Sequence, residues 1–226
     1  MTFSLLVAAC AQVGPPPTTA AETATTVSPT STSAPCVLSP IISETADIFT
    51  ALDADYDGDD AADTLSTYLT PLGWTLRLEL TGGTGSEVLI SDADLLAFAV
   101  PLGGFDLDDD GTPEAFVTVG TGATTTLVGL YRVDGCALQR VSIGGAPAVF
   151  PIGASVGNVS GLSCDGAGDL DQLFASSSDG ITYEGGNEPF ELDGSTLVAG
   201  PGDSATFTAE EAGALATIDC GSLTLP

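Results

Sequence analysis

Hydrophobic and polar residues alternate with a period of two over much of this chain. Trp74, Leu76, Leu78 and Leu80 interleave with Thr75, Arg77, Glu79 and Thr81, which predicts a half-buried strand. Thr126 to Val133 (TLVGLYRV) predicts another, closed by an Asp134-Gly135 turn before Ala137 to Ile143. Shorter apolar runs stand at Leu65 to Leu69, Ala115 to Val119 and Leu173 to Ala175. Ile181-Thr182-Tyr183 and Phe190-Glu191-Leu192 read as two strands flanking a glycine turn. No long segment keeps a helical period. Only Ser43 to Leu52 and Thr208 to Ala216 have room for a helical turn or two. The pattern predicts an all-β fold.

The first 35 residues break that pattern. Residues 1–10 (MTFSLLVAAC) form a short apolar run ending in small residues before Cys10, and Val7-Ala8-Ala9-Cys10 resembles a bacterial lipobox. That resemblance implies cleavage before Cys10, its lipidation, and a mature chain held at the extracytoplasmic face of a cell membrane. The run carries no cation and is short for an h-region, so the true start of the signal is expected upstream. Residues 11–35 are nearly all Pro, Thr, Ser and Ala, with Glu22 as the one charge, and read as an extended spacer. The folded domain is then 36–226. No stretch is long and apolar enough for a membrane-spanning helix.

Charge narrows the function. The 226 residues include 31 Asp and Glu against 3 Lys and Arg, a net charge of -28, with no His. The cations are Arg77, Arg132 and Arg140. Nucleic-acid binding, which relies on Lys and Arg to replace counterions, is excluded. So are histidine triads, histidine-ligated zinc and lysine Schiff bases. Yet 43% of the residues are hydrophobic, so the chain can bury a core. Of five cysteines, Cys10 is assigned to the lipid; Cys36, Cys136, Cys164 and Cys220 predict two disulfides with three connectivities open.

The acids are concentrated in three glycine-bearing segments, starting at Asp55, Asp106 and Ser163 and thus 51 and 57 residues apart. That period suits β-propeller blades and similar arrays. Asp219-Cys220-Gly221 reads as a fourth motif cut short. Calcium needs six to eight hard oxygens, which alternating carboxylates in a tight loop supply. The first loop offers Asp55, Asp57, Asp59 and Asp63, at positions 1, 3, 5 and 9; the second offers Asp106, Asp108, Asp110 and Glu114. Gly111 sits at the sharp bend of position 6, where the first loop has Asp60. The third segment (163–171) keeps only Asp165 and Asp171 and is a weak site or a plain turn. An EF-hand is rejected, because position 12 is Ser66 or Val117 rather than Glu and strands replace its helices.

This D-x-D-x-D-G-x-x-[DE] loop, running into a strand and repeating every 50–60 residues, resembles the FG-GAP/VCBS repeats of integrin-like β-propellers. The resemblance implies an array of about three repeats, forming an incomplete or small propeller, with Ca²⁺ as the bound ion. On that propeller reading Cys136 pairs with Cys164, and Cys36 clasps Cys220. The expected function is non-catalytic binding or adhesion, with a surface protein or carbohydrate as partner. The alternative is a carbohydrate-active hydrolase or sugar-binding module working through surface carboxylates and aromatics. For it Trp74, Tyr131 and Tyr183 would line the site, although they alternate like core residues.

Overall fold

The computed structural model describes Cys36 and residues 48–90, 99–164 and 169–226. Residues 1–35, with Cys10, lie outside them, as do residues 43–47. The chain is all-β, and residues from Pro35 to Pro226 form one compact unit.

Three four-stranded antiparallel meanders follow one another. The first is β1 (Ile48–Ala54), β2 (Asp63–Thr70), β3 (Gly73–Glu79) and β4 (Gly85–Leu89). The second is β5 (Pro101–Phe105), β6 (Glu114–Thr121), β7 (Thr125–Asp134) and β8 (Ala137–Arg140). After β9 (Ser142–Ile143), β10 (Ala146–Pro147) and β11 (Val149–Ala154) comes the third: β12 (Asn158–Cys164), β13 (Asp169–Ser176), β14 (Thr182–Asp193) and β15 (Thr196–Ala199). β16 (Ser204–Thr208), α1 (Ala209–Ala214) and β17 (Ile218–Asp219) end the fold. Strand β11 pairs with both β7 and β12, so the second and third meanders share one large sheet. The first is a separate sheet, and neither closes on itself.

The second meander is buried on both sides. On one side Ala115, Val117 and Tyr131 pack with Leu65, Trp74, Leu76 and Leu78 of the first meander. On the other, Phe116, Val128 and Leu130 pack with Leu162, Leu170 and Phe190 of the third. A strand covered on both faces reads as a continuous apolar run, which is why 115–119 lacks alternation. A smaller core of Val159, Ala175, Tyr183 and Ala212 lies beneath α1. That helix starts with a reciprocal cap: Thr208 Oγ1 accepts the Glu211 amide at 3.3 Å, and Glu211 Oε2 accepts the Thr208 amide at 2.8 Å.

Three expectations change. Residues 48–52 belong to a strand rather than a helical turn, because β1 pairs with β2. Strand β3 is buried on both faces rather than half-buried: Thr75 and Arg77 are covered too, and Arg77 pairs with Glu79 and Glu87. Ile181 to Leu192 holds no turn. Thr182–Asp193 is one unbroken strand, and a Cβ on Gly186 would lie 1.8 Å from the Asp203 carbonyl oxygen. Glycine there admits a neighbouring backbone rather than bending the chain.

The disulfides are Cys36–Cys136 and Cys164–Cys220, which overturns the pairing drawn from the propeller reading. The register explains the second bond. Strand β17 lies parallel to β12 with Leu162 opposite Ile218 and Ser163 opposite Asp219, so the next step brings Cys164 to Cys220, with Cα atoms 4.7 Å apart. Cys136 packs against the core between the first two meanders and Cys164 against the other, so these two do not meet. Peptide mapping without reductant is expected to recover these two crosslinked pairs. The double substitution Cys164→Ser/Cys220→Ser opens a span of 56 residues and should cost about 4 kcal/mol by chain entropy, read from denaturant melts.

Candidate metal centres

Both well-formed acidic loops occupy the same place in their meanders, between the first strand and the second. The first joins β1 to β2 and the second joins β5 to β6. Their backbones match at two positions. Positions 4 and 6 are left-handed in each: Gly58 (φ 74°) and Asp60 (φ 64°) in the first, Asp109 (φ 55°) and Gly111 (φ 91°) in the second. Aspartate tolerates that region better than most side chains, so glycine and aspartate exchange places without changing the turn.

Equivalent carboxylates hold each loop. Asp55 accepts the amides of Gly58 at 2.7 Å and Asp60 at 2.8 Å; Asp106 accepts those of Asp110 at 3.2 Å and Gly111 at 2.9 Å. The acid at position 9 opens the second strand and is almost fully buried, 1% exposed for both Asp63 and Glu114. It reaches back to the amide at position 2: Tyr56 to Asp63 at 2.8 Å, Leu107 to Glu114 at 2.9 Å.

Positions 1, 3 and 9 converge. Asp55, Asp57 and Asp63 bring carboxylate oxygens within 4.8 Å of one another, and so do Asp106, Asp108 and Glu114. Each trio can hold a metal ion. The position-5 acids stand outside both trios: Asp59 accepts the Ala61 amide at 2.9 Å and Asp110 that of Thr112 at 2.8 Å. The heart of the third segment, 165–168, falls outside the described residues; beside it Asp171 accepts the Asn187 side-chain amide at 2.7 Å.

The electrostatics ask for a cation. Burial, with the charges of Asp108 and Asp110 behind it, pushes Glu114 up to about 7 despite the Leu107 amide and Arg132. Burial and the charges of Asp110 and Asp106 raise Asp108 as well, and burial and three neighbouring aspartates raise Asp57. One oxygen of Asp108, Oδ1, is buried with no hydrogen-bond partner. An oxygen-only donor set with a spare buried carboxylate oxygen fits a hard divalent cation.

Pattern reading missed Arg132. From β7 its guanidinium lies 3.5 Å from Asp108 Oδ2 and 3.3 Å from Asp110 Oδ2, and it donates to the Gly194 carbonyl at 2.5 Å. Arg132 is remote in sequence from its partners, and no local signal links it to them.

Metal-free protein should show Glu114 in its pH dependence. Its folded pKa lies above the ordinary 4.5, so between pH 4.5 and about 7 the folded state holds a proton that the unfolded chain releases. Stability from this group is full below pH 4.5 and is lost as pH rises through about 7, a loss of roughly 3 kcal/mol. Melts in chelator across that range should fall with pH, and Glu114→Gln should flatten the slope. No family model, curated protein or solved structure matches this chain.

Proposed function

We propose that this chain is an exported, lipid-anchored, Ca²⁺-stabilised β-repeat module that works by binding at the cell surface rather than by catalysis. One observation carries the reading. The same three-carboxylate cluster, on the same left-handed loop, recurs between strands one and two of successive four-stranded meanders. That is the arrangement expected of FG-GAP/VCBS repeats, with three meanders standing as an incomplete propeller. Ca²⁺ is the ion that suits a flexible, all-oxygen, acid-rich loop outside the cell. When bound, it would sit among Asp55, Asp57 and Asp63, and among Asp106, Asp108 and Glu114, supplying charge compensation rather than reactivity.

Burial of the aromatics supports binding by a broad face rather than sugar chemistry. Trp74, Tyr131 and Tyr183 are core residues, 2%, 0% and 6% exposed, and offer no stacking platform. An open cleft of about 560 Å³ is lined by Asn158, Ser176, Ser177, Asp179, Thr182 and Glu184. Its Asp179 accepts the amides of Ile181 and Thr182 and the Ser177 hydroxyl, which hold its carboxyl below the ordinary value. Such a group is a poor proton donor.

The anchor follows from Cys10 and the spacer. A single acyl chain holds a protein marginally and two hold it stably, so lipidation suffices without a basic patch. A strongly acidic domain is repelled by an anionic surface, which gives the nearly uncharged spacer a physical role.

Extracellular calcium modules bind with Kd on the order of 10⁻⁴–10⁻³ M. At 100 times Kd, one site adds roughly 2.7 kcal/mol to stability. Chelation is therefore expected to lower Tm, and Asp57→Ala and Asp108→Ala should each remove part of the difference; superimposable melts with Ca²⁺ and with chelator would refute the metal assignment. Placed behind a complete export signal, Cys10→Ser should move the protein from membrane to medium or leave its precursor uncleaved, as fractionation and immunoblotting would show.

A further inference from the structure

The two loops share their left-handed positions, the bond from position 9 back to position 2 and the carboxylate trio, yet differ in a charged neighbour. In the second meander Ala115 pairs with Tyr131, so one step further Arg132 stands opposite Glu114. The matching place in the first meander, one step past the Thr64–Glu79 pair, is Leu80. Leu80 is buried and brings no charge; the following amide, of Thr81, donates to Asp63 Oδ1 at 3.0 Å instead. Among the described residues no arginine comes within ion-pairing distance of Asp55, Asp57 or Asp63. At the second loop the guanidinium lies against Asp108 and Asp110, and the Gly194 carbonyl between β14 and β15 holds it there from the third meander.

We propose that Arg132 is a resident counter-ion of the second loop, and that it makes the two metal sites unequal. This rests on the metal reading above and concerns how the sites fill. The first loop has three converging carboxylates and no internal cation, so it takes its divalent ion first and more tightly. The second is already part-neutralised. An incoming ion must compete with the guanidinium for Asp108 Oδ2 and bind beside a fixed positive charge. The side chains of Arg132 and Asp108 are 17% and 22% exposed, so the pair is only partly screened by water. Because Arg132 also grips Gly194, filling the second site loosens a tie between the second and third meanders. The first site would then serve constant stability, and the second would respond to the higher range of calcium.

Calorimetric titration of the chain with CaCl₂ at fixed ionic strength tests this. Wild type should show two events, the weaker lost in Asp108→Asn and the tighter lost in Asp57→Asn. Arg132→Gln should tighten the weaker event about five- to tenfold, the size of a partly buried ion pair, and leave the tighter one unchanged. Arg132→Lys, which keeps the charge, should not tighten it. Two events that Arg132→Gln leaves unmoved would overturn the proposal while the metal reading stands. Absence of Ca²⁺ binding in every protein would overturn both. Should Arg132→Gln fail to fold, the order of loss decides: loss of the tighter event in Asp108→Asn refutes the assignment.

Discussion

A buried acid at the head of a strand is the constraint on which this architecture turns. Asp63 and Glu114 each begin the second strand of a meander, almost wholly out of water, and each reaches back to an amide of the loop before it. That one bond ties loop to strand. It also places the carboxylate beside two others, at positions 1 and 3. In the second loop burial and the neighbouring aspartates raise the Glu114 carboxyl, so its charge is costly there without a compensating partner.

Cations within the chain are few, and each is spent inside. Arg77 sits under the first meander with Glu79 and Glu87. Arg140 lies over the ring of Tyr131, 5.8 Å from its centre. Arg132 serves the second loop. With no lysine or histidine in the sequence, most of the 31 acidic side chains have no cationic side chain to pair with.

Packing distributes the rest of the stability. The second meander is the shared wall of two cores, so the central residues of β6 and β7 are buried on both faces. The acidic loops lie at the ends of these same strands. Disulfides hold the margins, one at the turn after β7 and one beside β12.

Much of this was legible in the sequence, because it depends on local chemistry. Period-two alternation marked β3 and β7, and apolar runs marked β2 and β6, since a strand's two faces are written in successive residues. Acid spacing marked the two clusters in which carboxylates at positions 1, 3 and 9 converge, because a tight loop brings near neighbours together. At position 5, Asp59 and Asp110 stand outside these clusters and accept nearby amides, an arrangement that spacing does not reveal. Whatever depends on residues distant in the chain was decided by tertiary structure alone. Cys164 meets Cys220 only because β17 docks parallel to β12. Gly185 and Gly186 looked like a turn, and proved to be where other backbones press against a continuous strand. Arg132 opposes Glu114, where the first meander has Leu80, through strand register, and register is set by the whole pattern of burial rather than by any local run.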